Sequence, residues 1–227
     1  MQIRFTDFNN AGNVVAGTYA TEWAEIEHVL TAMPLHLKAS DQAGIQGKAI
    51  FDPVGTNQHI ADQLTTAPRS WAGGIPIPAE FSFLGTDIDF GKNGVVVEVQ
   101  FSNYPFLLNN TVRSELFFRA QTVFHARPTQ LVVIVTKAGM FPSSQSTLYY
   151  EQALNQLTAL AQHGVFTVPI RLVGLFTPVG HVSATWTEYS AARYSRTVGS
   201  RSQRQFTIIN GRAGRCRIDQ VLTANDF

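Results

Sequence analysis

The chain has 227 residues, 44% of them apolar and only 15% charged, which suits one compact domain with an elaboration or two small ones sharing a core. A formal net charge of +1 names no partner, no apolar run approaches the ~18 residues of a membrane span, and the single cysteine, Cys216, cannot form an internal disulfide. Residues 1–7 lack a basic-then-apolar signal pattern, so a cytoplasmic protein with no membrane partner is expected. The neutral total conceals an asymmetry: residues 1–113 carry 11 acids against 6 bases, and residues 114–227 carry 5 acids against 11 bases. Arg193, Arg196, Arg201, Arg204, Arg212, Arg215 and Arg217 fall in a stretch with no acid, 190–218. Such a tract suits a phosphate backbone, and equally reads as a solvated, partly disordered tail.

In chain order, Trp23, Ile26, Val29, Leu30 and Met33 fall at helical spacing, predicting an amphipathic helix over 21–33 with Thr21 as N-cap and Pro34 as its stop. Residues 34–80 are rich in Gly, Pro and polar residues and read as long loops with short helical pieces. Their end, Ile75-Pro76-Ile77-Pro78, is excluded from a central strand because proline cannot donate to a ladder. Two β-rich runs, 81–90 and 95–102, flank Asn93-Gly94, a strong hairpin signal. A helix over roughly 109–121 follows Pro105; Leu131–Thr136 and Ile170–Phe176 read as buried strands, with a helix between them from Thr147 to Gln162, closed by Gly164. Residues 182–210 alternate as β-hairpins do, and the whole order describes an α/β fold with a mixed central sheet.

The hairpin carries the chemistry. A type I′ turn at Asn93-Gly94 sets Asp89 opposite Glu98 and Asp87 opposite Gln100, with Glu98 and Gln100 on one face, so that three carboxylates and an amide converge. Cross-strand neighbours lie roughly 4.5–5.5 Å apart at Cβ, where like charges repel unless a cation sits between them. Mg²⁺, which takes oxygen ligands at about 2.1 Å and shares its shell with phosphate, fits such a set and suits phosphodiester hydrolysis. The alternative is a solvated hairpin face, but polar groups inside Val95-Val96-Val97-Glu98-Val99-Gln100-Phe101 are costly to bury without a use.

The run 84–118, LGTDIDFGKNGVVVEVQFSNYPFLLNNTVRSELFF, resembles the BglII family of type II restriction endonucleases, which cut A^GATCT. The resemblance continues through 33–36, 50–58, 140–142, 148–153, 168–175 and 193–197, and weakens between 119 and 130 and after 198. It implies a homodimer with a PD-(D/E)XK restriction-endonuclease core, its sheet flanked by helices, and a smaller β-rich subdomain. Residues 1–180 would form the catalytic and dimerisation core, and 181–227 an Arg-rich part gripping double-stranded DNA. It implies that Asp89, Glu98 and Gln100 are catalytic, that Asp89, Glu98 and the Val99 carbonyl hold Mg²⁺, and that activated water attacks phosphorus in line. It carries DNA contacts onto Ser102, Asn103, Arg113, Gln145, Ser146 and Arg196. Gln145 stands where the family has asparagine, so an inner GATC is expected to persist while the outer base pair is open.

The remaining motifs carry less. The six histidines lack zinc-ligand spacing, and Gly44–Ala49 resembles a P-loop without its spacing or hydroxyl, so no nucleotide cofactor is expected. Cys216 between two arginines reads as incidental, and Asn109-Asn110-Thr111 as helix capping rather than a glycosylation site. Two rivals stand beside the nuclease reading: a catalytically silent DNA-binding module of the same fold, and a β-rich protein for a non-nucleic ligand.

Overall fold

The computed structural model describes residues 1–143, 146–191 and 196–221. In chain order the elements are β1 (Gln2–Phe8), α1 (Ala11–Gly17), α2 (Ala20–Ala32), β2 (Leu35–Ala39), β3 (Ala49–Phe51), α3 (Pro53–Thr65), β4 (Ala72–Pro76), β5 (Asp87–Lys92), β6 (Val95–Val99), α4 (Pro105–Arg119), β7 (Val123–His125), β8 (Arg127–Pro128), β9 (Leu131–Lys137), α5 (Tyr150–Gln162), β10 (Ile170–Phe176), β11 (Gly180–Tyr189), β12 (Val198–Asn210) and β13 (Cys216–Gln220). Six strands form the main sheet in the order β1-β10-β9-β6-β5-β4, and five form a second in the order β13-β12-β11-β2-β3.

The main sheet is mixed, as the element order predicts. Its centre, β6-β9-β10, is parallel, and β1, β5 and β4 add antiparallel edges. Every residue of β6, β9 and β10 is buried, as suits their mostly apolar sequences, in which Glu98, Lys137 and Arg171 are the charged exceptions. Helix α1 packs on β1, β9 and β10, α2 on β1, and α5 on β10 and β1. Gly164, at φ 65°, ends α5 in the left-handed conformation expected of a C-terminal glycine.

The stretch 34–80 departs from its reading as loops, because it holds β2, β3, β4 and the 13-residue α3. Asp52 explains the helix: its carboxylate accepts the Val54 N–H and Pro53 occupies the first turn, so a Pro/Gly-rich segment opens a helix rather than interrupting one. The apolar face of α3 is narrow, with Ile60 and Leu64 its buried hydrophobic side chains, which left little periodicity to see. Its prolines do place β4 at the sheet edge. Residues 79–84 form a 3-10 turn where a strand is expected, α4 starts at Pro105, and the N-cap of α2 is Tyr19, without a side-chain bond, instead of Thr21.

The second sheet takes β2 and β3 from early in the chain and β11, β12 and β13 from late in it, so it is not continuous in sequence. Trp186 and Phe206 stack across it at 5.8 Å. It is tied to the main body by Cys216 N–H on the Met140 carbonyl (2.7 Å), by Phe51 N–H on Pro142 (2.9 Å), and by the Tyr189 hydroxyl on the buried Asp52 carboxylate (2.8 Å). Among the described residues no helix is long and apolar enough to cross a membrane.

The β5–β6 hairpin turns at Asn93 (φ 50°) and Gly94 (φ 90°), with Lys92 opposite Val95. Both central residues are left-handed, as a type I′ turn demands. Helix α2 anchors the turn: Glu25 accepts from Lys92 (2.7 Å) and Trp71 Nε1 (2.7 Å), and Glu22 accepts from Asn93 Nδ2 (2.9 Å). A Cβ on Gly94 would lie 2.6 Å from the Pro128 carbonyl oxygen, a backbone atom that cannot step aside. Gly94→Ala is therefore expected to lower stability by about 1–3 kcal/mol; a urea midpoint equal to wild type would contradict this account of the turn.

Candidate active site

Beyond the turn the hairpin opens. The β5–β6 ladder ends at Phe90 opposite Val97, and β5 pairs onward with β4, Ile88 against Ile75 and Asp87 against Pro76. Where the next backbone bond to β6 would fall, the Asp89 carboxylate takes over: its Oδ2 accepts the Val99 N–H at 2.6 Å. That bond sets Asp89 against the main chain between Glu98 and Gln100. The expected convergence of three carboxylates does not occur. Asp87 is exposed and accepts from the Thr86 hydroxyl, and among the described residues no group of three or more His, Cys, Asp or Glu side chains is arranged to hold a metal. The β5–β6 ladder stops at Phe90 and Val97, so Asp87 is not held opposite Gln100.

Glu98 is 2% exposed and receives Arg113 Nη2 at 2.7 Å. Arg113 sits on α4, itself buried, and Gly85 makes room for it: a Cβ there would lie 2.8 Å from Arg113 Nη1, at a backbone φ of 140° that favours glycine. Burial pushes the Glu98 carboxyl up to about 8; Arg113 pulls the other way, and neighbouring Asp89 adds to the rise. Asp89 is also raised, by burial first, against the lowering effect of the Val99 N–H. Two carboxyls that each resist ionisation beside the other form an all-oxygen donor set suited to a hard cation.

A cleft of about 440 Å³ opens beside this pair, lined by Val99, Gln100, Ser102, Ser146 and Arg196 together with Pro53, Val54 and Asn57 of α3. Five predicted site residues thus share one cavity. The Gln100 amide donates to the Ser102 hydroxyl, and Ser146 Oγ donates to the Ser102 carbonyl at 2.8 Å. Asn103, next along and exposed, accepts from the Thr147 hydroxyl at 3.2 Å. Arg113 is brought to the site from the opposite side, turned inward onto Glu98 rather than lining the cleft. Gln145 lies outside the described residues, as does Arg193 of the basic tract. In that tract Arg204 pairs with Glu188 (2.7 Å) and Arg201 donates to Gln58 of α3 (2.7 Å). A larger cavity of about 550 Å³, between Trp186, Phe206 and Cys216 of the second sheet, is lined by no predicted site residue; burial pushes the thiol of Cys216, in its wall, up to about 11.

Three residues near the site escaped the sequence reading. Asn57 and Gly85 have no motif to mark them. Lys137 does leave a signal, a charged residue directly after the apolar run 131–135 and Thr136. It is 1% exposed, and burial pushes its amine down to about 7.

The family model for restriction endonuclease BglII/BglIII matches residues 3–175. A curated relative, the type II restriction enzyme BglII of Bacillus subtilis, is 53% identical over 214 residues, 92% of each chain. Among solved structures, restriction endonuclease BglII complexed with a DNA 16-mer superposes with a TM-score of 0.92 at 50% identity, over 97% of this chain and all of that one. Free BglII superposes with a TM-score of 0.75 at 48% identity over the same shares.

Because Glu98 titrates near 8 when folded, against an ordinary 4.5, the native protein retains a proton that the unfolded chain releases between those values. Its contribution to stability is complete below the unfolded value and is lost as pH rises through the folded one. Without divalent cations, the melting temperature of wild type relative to Glu98→Gln is expected to fall as pH rises from about 5 to about 9. A difference that stays constant with pH would refute the burial-driven shift.

Proposed function

This chain belongs to the restriction endonuclease BglII/BglIII family and is a type II site-specific deoxyribonuclease; from that premise we propose that it acts as a Mg²⁺-dependent homodimer on a palindrome like A^GATCT in double-stranded DNA, leaving 5′-GATC overhangs, in the cytoplasm. The observation that carries the reading is the Asp89–Val99 bond beside buried Glu98, at the edge of a cleft that Gln100, Ser102, Ser146 and Arg196 line.

Asp89, Glu98 and the Val99 carbonyl would hold the ion; both side chains are oxygen donors whose charged forms their own burial disfavours, and a divalent cation reverses that preference. When bound, the ion neutralises charge developing on the phosphate and acidifies water. The Asp89–Val99 bond fixes one carboxylate to the strand that supplies the other, so the donor set is held before DNA arrives. Arg113 supports Glu98 from behind. Gln100 is neutral and orients water or phosphate through its amide, which the Ser102 hydroxyl positions; it neither removes a proton nor supplies charge. Ser102, Asn103, Ser146 and Arg196, with Gln145, form the set assigned to DNA.

A palindromic target calls for a two-fold dimer with one site per strand. Helix α4 carries exposed Leu108 and Val112 one turn apart, apolar side chains that support a second copy of the chain as the occupant of that face. Residues 1–180 would contribute catalysis and dimerisation, and 181–227, with its arginines, would grip the duplex.

Incubation of plasmid DNA with the protein and Mg²⁺ tests the reading. Wild type is expected to yield discrete fragments, and Glu98→Ala to lose at least about 10³-fold in rate while still binding the palindrome in Ca²⁺. Plasmid left intact by wild type across a range of salt and divalent ions would overturn it.

A further inference from the structure

We propose that Lys137 is a positioning residue for sequence reading: its amino group clasps the two segments assigned to DNA, 101–103 and 146–148, and base discrimination depends on that clasp. The inference rests on the proposed function, and it concerns a residue that touches neither the donor set nor, by its burial, the DNA.

Lys137 is the last residue of β9, following Val132–Thr136, all fully buried, and is itself 1% exposed. An amine in such a place is costly unless its hydrogens are used. Nζ donates to the Phe101 carbonyl (3.2 Å), the Leu148 carbonyl (3.0 Å) and the Ser146 hydroxyl, and lies 4.6 Å from the centre of the Tyr149 ring. The first acceptor belongs to the segment leaving β6 and the other two to the segment entering α5, so one nitrogen bridges chain stretches about 45 residues apart.

The bridge extends outward. Ser146 Oγ reaches the Phe101 and Ser102 carbonyls, and the Ser102 carbonyl also accepts from Thr147 N–H (3.2 Å) and Leu148 N–H (3.1 Å). Thr147 Oγ1 accepts from Tyr104 N–H and donates to Asn103 Oδ1. The Gln100 amide closes the chain of contacts onto Ser102. Ser146 is therefore one hydrogen bond from Lys137, Ser102 two, and Asn103 is reached from Ser102 through Thr147, while the same network ends on Gln100, directly after the strand that carries Glu98. A methionine would fill the space of the lysine stem; it would not tie the two carbonyls and the hydroxyl together.

The test compares cleavage of a duplex bearing the palindrome with cleavage of duplexes changed at one base pair, using wild type, Lys137→Met and Lys137→Arg, with melting temperatures recorded alongside. Lys137→Met is expected to reduce the ratio of kcat/KM between the palindrome and its variants by roughly 10- to 100-fold, the scale of one or two misplaced base contacts, and Lys137→Arg to recover part of it. Equal losses on both kinds of duplex, leaving the ratio at its wild-type value, would overturn the proposal and leave Lys137 a packing residue. Should Lys137→Met not fold, Tyr149→Leu, which removes the ring beside Nζ, is expected to lower the same ratio several-fold, and an unchanged ratio overturns the proposal equally. Failure of wild type to cut any duplex would instead remove the functional reading on which the proposal stands.

Discussion

The site depends on a substitution of one acceptor for another. The antiparallel ladder of β5 and β6 ends at Phe90 and Val97 while β5 keeps its pairing with β4 on its other edge, and the Val99 N–H is left without a backbone acceptor from β5. Asp89 fills the gap at 2.6 Å. An orphaned backbone donor is costly to bury, so the carboxylate is held where the opened hairpin needs it, and it is thereby fixed beside Glu98. The anchoring of the turn on Glu22 and Glu25 of α2, the room that Gly85 leaves for Arg113, and the register of β6 on β9 all serve to keep that opening in one place.

Much of this was legible in the residues because it is local. Asn93-Gly94 dictates a type I′ turn and hence the register of Lys92 on Val95, and the largely apolar runs at 131–136 and 170–176 fit strands buried on both faces. Less legible was whatever depends on a partner distant in the chain. The hairpin pattern alone does not reveal where the β5–β6 ladder ends, and so it puts Asp87 in a metal-binding cluster it does not join. Helix α3 hid behind a proline and a glycine that its capping carboxylate, Asp52, turns into a start signal. Resemblance alone assigns Arg113 to DNA; its burial on Glu98 follows from the packing of α4, which no spacing reveals.

Charge is divided in the same spirit. The acidic first half contributes Asp89 and Glu98, the two groups that burial makes reluctant to ionise, and the basic second half contributes β12 and the segment before it. Arg201 and Arg204 are already oriented by Gln58 and Glu188, so the basic strand is a shaped surface with its side chains held in place. A total near neutrality keeps the sequence-independent attraction to phosphate modest, which leaves more of the binding free energy to contacts with base edges.

Under the proposed function, cleavage and recognition would meet at one short stretch, residues 98–103, where the strand that carries Glu98 becomes the segment that lines the cleft. The most direct test is to digest DNA of known sequence with the wild-type protein and Mg²⁺ and to map every fragment end. The account predicts 5′-GATC overhangs at palindromes like AGATCT and intact strands elsewhere; ends scattered without regard to sequence would contradict it.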